Sequence, residues 1–484
     1  MGILSNLEPA PVFHYFEEIC GIPHGSTNTK AISDYCVTFA KEHHLNYIQD
    51  DSNNVIIFKD GTPGYENSAP VMLQGHLDMV CEKEADCDID FTKDGLSLEL
   101  QDNVISAKGT TLGGDDGIAV AYALAILAST DIPHPPLEVV LTVDEEIGML
   151  GASALDCSPL KSRIMLNLDS EDEGYLLVSC AGGISTLAHL PVKKEEKAGT
   201  KITLTITGLL GGHSGVEIDK GRANACQLLG RTLYALSQKV SFHLLSVNGG
   251  LKDNAIPREA QAELLVTDTA DIAVVRQTIE ELSNIYQKEY HAVDSGIKLL
   301  LEAENGSSSE MVMTADTTTK IITALVNLPG GIQRMSHDIE GLVQTSLNLG
   351  ILSTKETEVT FSFAVRSSVE TEKNELVSRI TCLMEALGGS VTNSGAYPAW
   401  EYRQDSMLRD LMISIFEKQY GRKPVVQALH AGVECGLFSG KLPGLDCVSF
   451  GPDMNDIHTP NESMDVASVQ RTWNYTLEVL KELK

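Results

Sequence analysis

Continuous apolar runs, rather than alternating ones, set the fold class of this chain. Val55-Ile56-Ile57-Phe58, Val71-Met72-Leu73, Val139-Val140-Leu141-Thr142-Val143 and Ile164-Met165-Leu166 put apolar side chains on both faces of an extended backbone. A strand solvated on one face alternates, and one covered on both faces does not. Between the second and third runs, Gly117 to Ala128 is apolar nearly all round and reads as a buried helix. Earlier, Ile32, Tyr35, Cys36, Phe39 and Ala40 recur at the spacing of an amphipathic helix. Buried strands with helices between them predict an α/β core domain with a mostly parallel sheet.

The texture changes near residue 187. PVKKEEKAGTK reads as a polar linker, and KITLTITG beyond it alternates as a half-exposed strand does. Near Ser394-Gly395-Ala396 the chain leaves this region. The last stretch then returns to the first texture, with Cys447-Val448-Ser449-Phe450, a turn-rich segment and a helix carrying Val466, Val469, Trp473, Leu477 and Leu480. The expected organisation is a core domain made of residues 1–186 and 397–484, interrupted at 187–396 by an inserted α/β sandwich domain. Within the insertion, residues 254–282 and 349–383 both run strand, strand, helix. The insertion therefore reads either as a duplicated unit or as two segments that share a common pattern.

Composition narrows the partners. Asp and Glu number 67 against 36 Lys and Arg, a formal charge of −31. That field repels phosphate backbones and anionic lipid, so nucleic acid and membrane surfaces are excluded as partners, while small molecules and cations remain. The longest strongly apolar run, Ile118 to Ala128, is 11 residues, short of the roughly 20 that span a bilayer. MGILSNLEPAP has no signal-peptide pattern, so the mature chain is expected to start at or near Met1. Ten cysteines without a C-x-x-C pair fit reduced thiols and a cytoplasmic location.

Acidic and histidine clusters follow the apolar runs, at the sheet edge where open α/β folds bind ligands. They are His76-Leu77-Asp78, Gly113-Gly114-Asp115-Asp116-Gly117, Asp144-Glu145-Glu146, Asp169, and His458 beyond the last strand. Each alone has an ordinary explanation: a core histidine, a helix cap, an exposed strand end. Two carboxylates at the tip of so apolar a strand need compensation, which a metal supplies, with one glutamate as ligand and the other as base. For both to face one site the chain must turn there. His76, Asp115, Glu146, Asp169 and His458 together oversupply a single zinc, which takes three protein ligands and a water. With Asp115 shared, two metals each receive three ligands, and two divalent cations balance three carboxylates and a hydroxide.

These residues lie in GHLDMV, GTTLGGDDGIAVAYALAIL, VDEEIGMLGA, NLDSEDEG, GLLGGHSGVEI and GPDMNDIHTPNE, spread over the whole chain. The strings resemble the dinuclear-zinc exopeptidase family that includes peptidase T, aminoacylase, succinyl-diaminopimelate desuccinylase and carnosinases. The resemblance implies two Zn²⁺ per chain, with Co²⁺ or Mn²⁺ as substitutes, on His76, Asp115, Glu146, Asp169 and His458. It further implies that Asp78 supports His76, that Glu145 is the general base and acid, and that a cis peptide follows the bridging aspartate. Asp116 stands where the family often has other residues after that aspartate, which leaves the choice between Asp115 and Asp116 open. His213 matches the family's lid histidine, which stabilises the oxyanion; Asn254 and Arg366 fall where substrate-binding residues are expected. His430 and Glu434, in the C-terminal HAGVECGLF, are placed at the substrate pocket. The long insertion, IPHGSTN and HAGVECGLF resemble the branch of bacterial cytosolic Xaa-His dipeptidases. The implied activity is metal-dependent hydrolysis of dipeptides with an unblocked N-terminus, including Xaa-His dipeptides such as carnosine. The alternatives are an N-acyl amino acid deacylase of the same family and a noncatalytic metal or peptide binder. In dimeric relatives the lid histidine serves the partner subunit; with an insertion this long, cis and trans action, and hence the homodimer, both stay open.

Overall fold

The computed structural model describes residues 2–484, and the chain folds as two units. Residues through Cys180, Tyr402–Ala428 and Val433–Lys484 form the first; Ala181–Glu401 and Leu429–Gly432 form the second.

In the first unit the sheet runs, in spatial order, Asn46–Gln49, Val55–Lys59, Leu137–Thr142, Val71–His76, Ile164–Asn167, Asp446–Ser449, Tyr175–Cys180 and Val425–Leu429. The four central strands pair in parallel. Pairing turns antiparallel toward the flanks, between Val55–Lys59 and Leu137–Thr142 and between Asp446–Ser449 and Tyr175–Cys180. The sheet is therefore mixed, with a parallel centre where the continuous apolar runs lie. Val71, Met72, Leu73, Val139, Val140, Met165, Leu166 and Val448 are fully buried, because helices cover both faces. The helix Gly114–Ala128 is buried on every side from Ile118 to Leu127, as its lack of a polar stripe requires. Ala10–Cys20 packs against it. The final helix, Val466–Glu482, meets it through Tyr122, whose hydroxyl donates to the Val469 carbonyl at 2.8 Å and whose ring lies 5.6 Å from that of Trp473.

The second unit is an antiparallel ten-stranded sheet with helices packed on it. The polar stretch at 191–201 is a strand rather than the expected linker. Lys194–Thr207 is continuous, its first half paired with Ser308–Met313 and its second with Ala260–Val266 and Lys298–Ala303. A ladder satisfies the backbone whatever the side chains are, and this ribbon's charged side chains are largely solvated, so its sequence reads as a loop. Phe242–Gly249 and Val343–Thr354 abut at one pairing, Gly249 with Leu352. Outward from that pairing come Ala260–Val266, Lys194–Thr207 and Lys298–Ala303 on one side, and Glu358–Ser367, Gly182–Pro191 and Ser390–Tyr397 on the other. Each half thus repeats one order, and the repeat is offset from that expected: the partner of Val343–Thr354 is Phe242–Gly249. Ala255–Ile256 instead forms a short ladder with Gly212–His213. Among the described residues no helix is long and apolar enough to cross a membrane.

In the first unit the C-terminus of Gly114–Ala128 is held by one cation. Lys59 Nζ donates to the carbonyls of Ile126, Leu127 and Ser129 at 3.0, 3.0 and 2.6 Å, groups that a helix end leaves without partners. Lys59→Met is expected to lower stability by about 2 kcal/mol, the worth of a charge-assisted bond set of this kind, read as a lower urea midpoint. An unchanged midpoint contradicts that role.

Candidate metal centre

The first unit brings five donor side chains, with Glu145 beside them, to the carboxyl edge of its parallel strands. His76 ends Val71–His76, Glu145 and Glu146 follow Leu137–Thr142, and Asp169 follows Ile164–Asn167. His458 lies in the turn after Met454–Asn455, and Asp115 opens the Gly114–Ala128 helix. His76 Nε2 lies 3.1 Å from Asp115 Oδ1 and 3.7 Å from Asp169 Oδ1. His458 Nε2 lies 3.1 Å from Asp115 Oδ2 and 3.0 Å from Glu146 Oε1. Two triads therefore share Asp115, which offers one oxygen to each, and the donor atoms of each triad lie within 4.8 Å of one another.

Local backbone explains the convergence. The strand ends at Thr142 and Asp144 is left-handed, φ 55°, which is the turn that Glu145 and Glu146 need to face one site. The Asp115–Asp116 peptide is cis. Asp115 faces both histidines, whereas Asp116 Oδ2 accepts from the His76 backbone N–H at 3.0 Å and its buried Oδ1 has no partner. His76 Nδ1 donates to the backbone carbonyl of Asp78 at 2.8 Å, leaving the Nε2 lone pair for a cation. The Asp78 carboxylate is farther from that nitrogen, 3.6 Å. It accepts instead from the amides of Glu145 and Glu146 at 3.0 and 3.4 Å and from Ser26 Oγ at 2.8 Å. Asp78 thus holds the glutamate turn as well as the histidine. Thr27 N–H adds a bond to Asp144 Oδ1 at 2.6 Å, which gives the IPHGSTN segment a physical role that its sequence did not disclose.

The carboxylates and imidazoles gathered here shift one another. Hydrogen bonds to Asp115 and Glu146 push His458 up to about 10. Burial disfavours charge on His76, but its bonds to Asp115 and Asp78 prevail and raise it well above its usual value. Burial also raises Asp169 strongly, reinforced by Asp116. Burial lifts Glu145 to about 7, with Glu146 and Asp115 adding and His76 opposing. The donor chemistry fits a cation pair: two imidazole nitrogens and three carboxylates, with a histidine oriented from behind.

Beneath the ligands lies a buried polar layer of which the sequence singled out only Glu434. Gln74 Nε2 donates to Glu434 Oε2, and Thr142 Oγ1 donates to the same oxygen at 2.7 Å. Asn167 Nδ2 donates to Gln74 Oε1. Gln74, Thr142 and Asn167 sit two or three residues before His76, Glu145 and Asp169, so the layer locks three strands in register under the donors. Glu434 is fully buried, its Oε1 has no partner, and burial pushes its carboxyl up to about 8.

The second unit groups the remaining expected residues. His213 Nδ1 accepts from the amides of Gly215 and Val216, both at 3.2 Å, which leaves the ring proton on Nε2. Burial and the Arg366 guanidinium hold this imidazole below its usual value, hence neutral. His213 pairs with Ala255, and Asn254 accepts from Ser214 N–H at 2.9 Å. The Asn348 amide donates to the carbonyls of Asp253 and Ala255 at 2.9 and 2.8 Å, fixing Asn254 from both sides. Arg366 donates through Nη1 to the Tyr397 hydroxyl at 2.7 Å, and its Nε has no partner. His430, driven down to about 3 by burial and by Arg366, is bonded to Ser346 through Nε2 at 2.7 Å. Gly215 lies among them: a Cβ there would meet the His430 carbonyl at 2.7 Å, His213 Cε1 at 2.9 Å and Arg366 Nε at 3.2 Å. Asn348 and Ser346 escaped the sequence reading because their partners lie far away along the chain.

The model of peptidase family M20/M25/M40 matches residues 72–482. The cytosol non-specific dipeptidase of Escherichia coli (strain K12) is 38% identical over 487 residues, 100% of this chain and 99% of that protein. The crystal structure of aminoacylhistidine dipeptidase from Vibrio alginolyticus superposes with a TM-score of 0.94 at 38% identity, covering 100% of this chain and 98% of that one. The aminopeptidase PepT from Bacillus cereus ATCC 10987, at 14% identity, shares the fold with a TM-score of 0.56 over 99% of both chains.

Cation loading has to displace protons. Since His458 titrates near 10 here against 6.5 unfolded, its proton stabilises the metal-free protein fully below about 6.5 and ceases to do so as pH rises through about 10. Loading is accordingly expected to tighten as pH rises and to release about two or more protons per chain at pH 7, one from each histidine and a further share from Asp169, whose carboxyl burial raises. A pH-stat titration with Zn²⁺ measures this, and release of fewer than one proton contradicts the site.

Proposed function

From the premise that this chain belongs to peptidase family M20/M25/M40, we propose that it is a cytoplasmic dizinc dipeptidase that cleaves unblocked dipeptides, Xaa-His dipeptides among them, with broad specificity. The observation that carries the reading is the pair of donor triads sharing Asp115, with Glu145 beside them. The names of the two 38%-identical relatives, a cytosol non-specific dipeptidase and an aminoacylhistidine dipeptidase, support the substrate class and the compartment.

His76, Asp115 and Asp169 would hold one ion, and His458, Asp115 and Glu146 the other. Two bound divalent cations acidify a water near neutral pH and polarise a carbonyl oxygen. Glu145, lifted toward 7, has the affinity to take a proton from the attacking water and return it to the leaving amine, since a general base works best near the operating pH. Asp78 keeps that carboxylate in place through the amides of Glu145 and Glu146. His213, neutral with its proton on Nε2, is a donor suited to a developing oxyanion. Arg366, with an unpartnered Nε, is assigned to the substrate's terminal carboxylate, and Asn254 to substrate binding. Glu434, with its spare buried oxygen, is assigned to the substrate pocket. Co²⁺ or Mn²⁺ would serve the same donors.

The purified, metal-loaded protein is expected to hydrolyse β-Ala-His and Gly-Gly in a chelator-sensitive manner and to leave an N-acetyl amino acid intact. Cleavage of the acetylated compound alone would make it a deacylase, and no cleavage with two metals bound would make it a binding protein. Glu145→Gln is expected to lower turnover about 10³-fold while metal content by elemental analysis stays near two per chain. Normal turnover in that variant removes Glu145 as the base.

A further inference from the structure

The Asp115 loop is held by a carboxylate that lies outside both donor triads. Glu462 is 3% exposed, and its two oxygens take four consecutive backbone N–H groups. Oε2 accepts from Leu112 and Gly113 at 2.8 and 3.2 Å; Oε1 accepts from Gly114 and Asp115 at 2.8 and 3.4 Å. Successive amides converge on one anion only where the chain curls into a nest, and Gly113, left-handed at φ 66°, supplies the curl. Glu462 belongs to the same turn as the second histidine: its own N–H donates to the Thr459 carbonyl at 3.1 Å, and Thr459 follows His458 directly. One side chain therefore ties the loop bearing the shared carboxylate to the loop bearing His458, across some 350 residues of sequence.

We propose that Glu462 is a positioning residue that fixes Asp115 so that its two oxygens serve both cations. This inference rests on the dinuclear reading above. Asp115 has to present one oxygen toward His76 and the other toward His458, both at 3.1 Å, so rotation of its peptide would disturb both ions at once. Without the carboxylate, four N–H groups of this buried loop lose their acceptor and the loop has to move to find others. Glu462→Gln retains the shape but turns an NH₂ toward two of those N–H groups.

The test measures Zn²⁺ affinity by competition with a chromogenic chelator, together with kcat, KM and thermal stability. It uses the wild type, Glu462→Gln, Glu462→Asp and Lys441→Met. Lys441 Nζ caps the carbonyls of Ala152, Ser153 and Leu155 and serves as a control for a purely structural loss. Glu462→Gln is expected to weaken binding of both ions about 10- to 100-fold, the usual effect of losing a support behind a ligand. Its kcat should fall at saturating metal with KM little changed. Glu462→Asp, which keeps the charge, should fall between it and the wild type and carries the test if the glutamine variant does not fold. Lys441→Met should lose stability with native metal affinity. Native affinity in both Glu462 variants overturns the proposal, as does an equal loss of affinity in Lys441→Met. A wild type that binds no pair of ions fails the dinuclear reading itself, a result distinguishable from either.

Discussion

A single carboxylate facing two histidines is the constraint on which the first unit is arranged. Asp115 can serve both only if its loop is fixed, if each imidazole presents Nε2, and if the carboxylates around it are balanced by positive charge. The fold meets the first condition with the Glu462 cradle. It meets the second, at His76, with the Asp78 carbonyl on Nδ1. The third shows in the mutual shifts: bonds to Asp115 raise His76 and His458, and those two imidazoles lower Asp115 against its burial. The parallel centre of the sheet delivers three of the donor segments to one edge, and the layer of Gln74, Thr142, Asn167 and Glu434 keeps those strands in register.

Much of this was legible in the sequence, for reasons that can be named. Strands buried on both faces lose their alternation, so Val71–Leu73 and Val139–Val143 declare a covered sheet, and a helix with no polar stripe declares its own burial. A donor at the tip of such a strand is conspicuous because it sits beside apolar residues, which is how His76, Glu145, Glu146 and Asp169 stood out. The supports were not legible. Glu462 looks like one more acidic residue in a turn, and Asn348 like an ordinary strand polar residue, since their partners are set by tertiary folding. The ribbon at Lys194–Gly199 was misread because exposed strands carry little side-chain signal, and the repeat was misaligned because the two-residue strand Ala255–Ile256 resembled a full one.

The second unit does a different kind of work. Its two halves share one strand order and meet at a single pairing, and its polar residues gather around Gly215, where a side chain would have no room. Ser346 and Arg366 are cross-strand partners, so the spacing of two adjacent strands sets the distance between the His430 support and the guanidinium. His213 is neutral with its proton on Nε2 because two amides occupy its other nitrogen, a chemistry specified by backbone rather than by a neighbouring acid.

The sharing of Asp115 can be seen directly by anomalous diffraction from crystals of the zinc-loaded protein, recorded on either side of the zinc edge. Two peaks about 3.5 to 4 Å apart, one against His76 and Asp169, the other against His458 and Glu146, and both against Asp115, are the expected result. A single peak, or a pair in which Asp115 touches only one ion, contradicts the shared carboxylate on which this reading of the chain depends.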